Sequence, residues 1–144
     1  MATYNGASHE GRWLREQVDS ILGQQGVEVR LVVSDDGSTD STVDLLARWS
    51  ASDPRIRVLP RRQGEAGVAG NFLHLFTTHD PDGSFVAFSD QDDVWHPDKL
   101  SRQLELMRSR GADVVSSNVM AFRCDEDGSV RDRHLIRKSG PQRR

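Results

Sequence analysis

A chain of 144 residues supports one domain with a real hydrophobic core and leaves no room for two. With 35% hydrophobic and 28% charged residues it reads as a globular chain, somewhat lean in apolar content, which excludes low-complexity and membrane-spanning classes. A net charge of −3 excludes a general electrostatic pull toward nucleic acid.

Met1-Ala2-Thr3-Tyr4 reads as the end of a strand, because Asn5-Gly6 is a turn signal. A helix is expected from about Glu10 to Gln25. Trp13, Leu14, Val18, Ile21 and Leu22 recur there at spacings of three and four, giving one apolar stripe. Gly26 stands where a C-cap would. Val29 to Val33 is a second strand, running into Ser34-Asp35-Asp36-Gly37-Ser38-Thr39-Asp40. Ser38 or Asp40 is placed to cap the next helix, whose Val43, Leu46 and Trp49 face the core. Ile56 to Leu59 is a third strand, ended by Pro60. The loop Arg61 to Gly67 precedes a helix with Val68, Phe72, Leu75 and Phe76 as its buried face and with His74 and His79 at the surface. Arg61 and Arg62 could face a phosphate, although loop arginines are more often solvated. Phe85 to Phe88 is a fourth strand, entering Ser89-Asp90-Gln91-Asp92-Asp93-Val94-Trp95. The next helix starts near Pro97, turns Leu100, Leu104 and Met107 inward, and ends at Gly111. Asp113 to Ser117 begins a fifth strand, extending toward Phe122, and Asp125-Glu126-Asp127-Gly128 is a hairpin turn by composition.

Strands alternating with helices predict an α/β fold: a mostly parallel sheet with helices on both faces. Both acidic clusters then lie at the carboxyl ends of strands, where open α/β sheets bind ligands. One acidic turn is ordinary and reads as a helix cap, as Pro97 and Asp98 illustrate. Two at one sheet edge, beside Thr3-Tyr4-Asn5, make a site. Asp90, Asp92 and Asp93 repel one another unless something offsets their charge. Mg²⁺ or Mn²⁺ does so with oxygen ligands and commonly arrives with a diphosphate. An EF-hand is excluded, because the sixth position counted from Asp90 is Trp95 rather than Gly. Neither a Gly-rich dinucleotide turn nor a P-loop is present, so Asp90 and Asp92 with their metal must supply the counter-charge to the phosphates. Asp35 or Asp36 could accept a base N–H, and Tyr4 offers a face for stacking.

Taken together these residues resemble the donor-binding half of inverting family-2 glycosyltransferases with the glycosyltransferase-A fold. The resemblance rests on Ala2-Thr3-Tyr4-Asn5-Gly6, Ser20-Ile21-Leu22 with Gln24-Gln25, Asp35 to Asp40, Asn71-Phe72, and above all Phe88 to Leu100. It covers about residues 1 to 120 in order. The Ser89 to Trp95 form is similar to bacterial rhamnosyltransferase-like members that build cell-surface polysaccharide, whose donor is typically dTDP-rhamnose. The resemblance implies that Ala2, Thr3, Tyr4 and Asn5 line the nucleotide pocket and that Asp36, with Asp35, reads the base. It makes Asp90 and Asp92 the metal and ribose-diphosphate carboxylates, with Asp93 supporting them or touching the sugar. The implied partners are a nucleotide-diphosphate sugar and a glycan or lipid-linked acceptor, with no nucleic acid. In such enzymes an acceptor hydroxyl attacks the anomeric carbon as the diphosphate departs, and a separate carboxylate takes the proton.

Against the family pattern, the first strand lacks several apolar residues before Ala2, and the segment carrying the general base is expected beyond residue 144. Asp125, Glu126 and Asp127 come too early and read as a turn. The expected organisation is a donor-binding domain over residues 1–122 and a basic tail over 123–144 leading to a missing acceptor segment. That tail, with Arg131, Arg133, Arg137 and Lys138 among its cations, is expected to be solvated or disordered, or to meet an anionic membrane surface. The lone Cys124 excludes an internal disulfide and fits a cytoplasmic home, peripheral at the inner face of the plasma membrane for the full-length protein. Three rivals remain. A sugar nucleotidyltransferase needs a Gly- and Arg-rich loop that Tyr4 to Ser8 does not supply, and a two-carboxylate phosphatase needs a lysine better placed than Lys99. A non-catalytic module that binds a nucleotide sugar is the third.

Overall fold

The computed structural model describes residues 1–64, 67–78, 85–125 and 129–137. The chain divides into two compact units, Met1–Leu100 and Ser101–Arg144.

The first unit contains β1 (Ala2–Thr3), α1 (Arg12–Leu22), β2 (Leu31–Asp35), α2 (Thr42–Ser52), β3 (Ile56–Val58) and α3 (Val68–Thr78). The three strands form one sheet in the order β1-β2-β3, all parallel. Ala2 stands opposite Ser34, and Leu31 opposite Ile56. Side chains along a strand alternate between faces, and β2 shows the consequence. Leu31 and Val33 enter one cluster with Leu14, Val18 and Ile21 of α1, Leu46 of α2, Ile56 and Trp95. Val32 enters the other, with Ala2, Leu59, and Phe72 and Leu75 of α3. Helices therefore cover both faces, as the alternating pattern requires. Burial of each large apolar side chain contributes roughly 1.5–3 kcal/mol, so the first and larger cluster carries most of the stability.

α4 (Lys99–Arg110) follows, with Leu100, Leu104 and Met107 half-buried. In the second unit β4 (Val119–Cys124) pairs antiparallel with β5 (Val130–Ile136), Val119 opposite Ile136. Asp125 N–H donates to Ser129 C=O at 3.0 Å and closes the hairpin; residues 126–128 of the expected turn lie outside the described residues.

Several expectations need correction. Phe85 to Phe88 form no strand, and Phe85 remains 58% exposed. The physical reason is the short neighbour. β1 offers two residues, and among the described residues a single backbone bond reaches across, from Ala2 N–H to Ser89 C=O at 3.1 Å. A ladder needs a run of such bonds. The fifth strand does not begin at Asp113; the extended structure starts at Val119 and turns back on itself. Of the two readings of the basic stretch, solvated or disordered, Val130–Ile136 follows the first: it is a strand exposed along its whole length. Residues 138–144 lie outside the described residues. Val43, Val68 and Phe76 are exposed rather than buried, because they fall off the stripes that meet the sheet. The first helix ends at Gly23, earlier than Gly26, and His74 is half-buried beside the Pro60 carbonyl. His79 is outside the described residues.

Candidate functional site

The site is built around the end of β1, which has an acidic segment on each side. On the β2 side, Asp36 N–H donates to Thr3 C=O at 2.9 Å, continuing the parallel pairing by one residue. Asn5 N–H then donates to Ser38 Oγ at 2.8 Å, and Thr39 N–H donates to Asn5 Oδ1 at 2.8 Å. Asn5 sits at φ 48°, a left-handed conformation that asparagine tolerates. Ala7 N–H donates to Asp40 Oδ2 at 3.0 Å. The loops after β1 and β2 are thus laced together by short polar side chains.

On the other side, Ser89 C=O takes Ala2 N–H, and Gln91 makes two bonds to Tyr4. Gln91 Oε1 accepts Tyr4 N–H at 2.9 Å, and Gln91 Nε2 donates to Tyr4 C=O at 3.0 Å. α1 holds the rest of this acidic loop. Gln17 Nε2 donates to Ser89 Oγ at 2.7 Å, and Ser89 Oγ donates to Asp90 C=O at 2.7 Å. Ser20 Oγ accepts Trp95 N–H at 3.0 Å. Gln24 donates to His96 C=O and accepts Leu100 N–H, at 2.8 and 2.9 Å. A buried amide needs partners for its donors and its acceptor, and Gln24 finds them across the loop. Asn71 of α3 does similar work under the strands, donating to Thr3 C=O and Ser34 C=O.

The expected site residues therefore separate by what their atoms already touch. Asp35 is buried and takes four hydrogen bonds: Gly37 N–H and Ser38 N–H on Oδ1, Thr3 Oγ1 and Ser38 Oγ on Oδ2. A carboxylate has about four lone-pair positions, so the turn's own donors fill those of Asp35. Gly37, at φ +90°, supplies the left-handed residue that turn requires. Asp36 is also buried, with its Oδ1 on the Arg62 guanidinium (Nη2 at 2.7 Å) and its Oδ2 on Gly67 N–H. Arg62 is thus paired rather than simply solvated. Among the described residues this leaves Asp36 one acceptor position on Oδ2. Ala2 and Thr3 are buried in the strand, while Tyr4 keeps 51% of its surface and a ring open to stacking. Asp90, Asp92 and Asp93 are exposed.

Electrostatics follow the same division. Burial raises the Asp40 carboxyl, but hydrogen bonds from Thr42 side chain and backbone and from Ala7 outweigh it and leave the pKa lowered. The Lys99 ammonium lies 3.8 Å from the centre of the Trp95 ring. Burial lowers its pKa, and the Asp93 carboxylate opposes that shift. Among the described residues no three His, Cys, Asp or Glu side chains group tightly enough to hold a metal alone. The residues still suit Mg²⁺ or Mn²⁺ of the kind expected, since Mg²⁺ usually takes one or two carboxylates and completes its shell with phosphate and water. Asp90 and Asp92 are exposed, and among the described residues no bond of the lacing ends on their carboxylates.

The residues that sequence reasoning left without a role are Gln17, Ser20, Gln24, Asn71 and Gln91. Ser20, Gln24 and Asn71 stood in the resemblance, and polar residues on or beside apolar helix stripes were the available signal. Gln91 lies inside the acidic motif and was masked by its charged neighbours.

The family model described as "Glycosyl transferase family 2" matches residues 1–144. The chain belongs to the glycosyl transferase family 2. Among its family-2 relatives is "dTDP-rhamnosyl transferase RfbG" of Shigella flexneri, 36% identical over 124 residues, which cover 85% of this chain and 42% of the relative. The "Putative teichuronic acid biosynthesis glycosyltransferase TuaG" of Bacillus subtilis is 36% identical over 125 residues, 85% of this chain and 47% of the relative. The chain thus spans less than half the length of these two relatives. Among solved structures, residues 1–349 of S. aureus TarS in complex with UDP match with a TM-score of 0.56 and 22% identity, over 91% of this chain and 36% of that one. That likeness places the fold among glycosyltransferase-A folds, as expected. Among the described residues no helix is long and apolar enough to cross a membrane.

Proposed function

We propose that the Met1–Leu100 unit is the donor-binding part of an enzyme that moves a sugar from a nucleoside-diphosphate sugar to a glycan or lipid-linked acceptor. One observation carries the reading: Asp35–Asp36 and Asp90–Asp92 flank the same two-residue strand end, tied to it by named hydrogen bonds. The name of the Shigella relative supports dTDP-rhamnose as the donor. The UDP in the TarS complex supports a pyrimidine nucleoside diphosphate as its recognisable half.

In this reading Tyr4 stacks on the base and the open acceptor position of Asp36 takes the imide N–H. Ala2, Thr3 and Asn5 shape the pocket wall through their backbone and lacing. Asp90 and Asp92 hold Mg²⁺ or Mn²⁺, with Asp90 also near the ribose and Asp93 toward the sugar. When bound, the cation supplies counter-charge to the diphosphate as it leaves. Asp35 keeps the turn in shape, and α1 keeps the loop of Asp90 and Asp92 against β1. The enzyme would work in the cytoplasm, at the inner membrane face where lipid-linked acceptors lie.

Calorimetric titration of dTDP in the presence and absence of Mn²⁺ tests the reading, with Asp92→Asn as the companion variant. Wild type should bind only with the metal, and Asp92→Asn should lose that binding while its melting temperature holds. Normal metal-dependent binding by Asp92→Asn would remove Asp92 as the ligand.

A further inference from the structure

We propose that Gln91 is a positioning residue which sets the distance between the metal carboxylates and the nucleotide pocket. The proposal deepens the reading above and rests on it. Gln91 is the uncharged member of an otherwise acidic run, flanked by Asp90 and Asp92. Its side-chain amide meets the Tyr4 peptide with both of its polar atoms, at 2.9 and 3.0 Å, across 87 residues of sequence. It does there what the peptide group of a neighbouring strand would do. Among the described residues the Ser89 carbonyl is the backbone partner of β1 on this side, so the glutamine extends the pairing past that backbone contact.

Gly6 gives independent support. Its backbone needs no left-handed conformation, so glycine is not demanded by the turn. A Cβ added at Gly6 would stand 2.8 Å from Gln91 Oε1 and 3.2 Å from its Cδ, yet a comfortable 3.5 Å from Leu14 Cδ2. The missing side chain therefore leaves room for the glutamine. Alanine at residue 6 would push on Gln91, a flexible side chain, before it disturbed the core. The clamp fixes the residue between the two proposed metal ligands to the residue proposed to stack on the base. Misplacement of such groups by about 1 Å is enough to weaken a shared ligand strongly.

The test compares wild type with Gln91→Ala, Gly6→Ala and the double variant. Hydrogen exchange at the Tyr4 amide reads the clamp itself. Titration of dTDP with and without Mn²⁺ reads its consequence. Both single variants should expose the Tyr4 amide while the α1 amides keep their protection. Each should lose about tenfold in affinity with Mn²⁺ present, the scale of two modest hydrogen bonds. Without metal neither wild type nor the variants should bind, as the reading above requires. The double variant should be no worse than Gln91→Ala, because both changes break one contact. An unchanged Tyr4 amide or additive losses would overturn the proposal. If wild type gains no affinity from Mn²⁺, the reading of the whole site falls and this proposal falls with it. If wild type gains affinity and the variants keep that gain, only the role of Gln91 is lost.

Discussion

Aspartates of one motif do different physical work, and the hydrogen-bond inventory separates them. Asp35 accepts four donors and is expected to act on stability. Asp35→Ala should destabilise the chain by about 1–3 kcal/mol for each buried donor left unpaired, measured by urea unfolding. Asp36 is expected to act on base choice. Asp36→Asn should weaken dTDP binding about tenfold or more and narrow its preference over CDP, because the lost acceptor is charged. Equal losses for both nucleotides would point to the Arg62 pair instead. Asp40 gives a pH signature. Its folded pKa lies below the ordinary carboxylate value of about 3.9, so its stabilising contribution is complete above that value and is lost as pH falls through the folded pKa. Wild type should exceed Asp40→Asn in stability near neutral pH, and the two should converge in strong acid. A gap that persists in acid would contradict this.

Elements were legible where periodicity and packing agree. β2 could be read from Val29 to Val33 because its residues are apolar on both faces, and the structure buries Leu31 and Val33 on one side and packs Val32 on the other. The stripe Leu14, Val18, Ile21 predicted α1 for the same reason. Phe85 to Phe88 has the composition of a strand and lacks the partner, because strand formation is a property of pairs rather than of one segment. The turn between β4 and β5 was legible, but the returning strand β5 was missed for the opposite reason: arginines along Val130–Ile136 hide a strand that is exposed on both faces. The candidate site was legible in its charges and not in its fastenings. Acids announce themselves in sequence, whereas Gln17, Ser20 and Gln24 become meaningful only when α1 lies beside residues 89–100. At this scale Gln24→Ala should cost roughly 1–3 kcal/mol and raise exchange at the Leu100 amide, while leaving β2 protected. Unaltered exchange at Leu100 would show that the loop holds without the Gln24 bonds.

For the whole molecule, family membership and fold stand together: a family-2 match across the chain, and a parallel sheet with helices on both faces. The sheet brings two acidic turns, distant in sequence, to one strand end, which neither turn does alone. A ligand that joins them should stabilise the folded chain by mass action, and only when its diphosphate and the cation are both present. The most direct measurement is thermal melting with dTDP or UDP, each with and without Mn²⁺ or Mg²⁺. The account predicts a rise in melting temperature for nucleotide and metal together and none for either alone. A rise with nucleotide alone, or no rise with any combination, would contradict it.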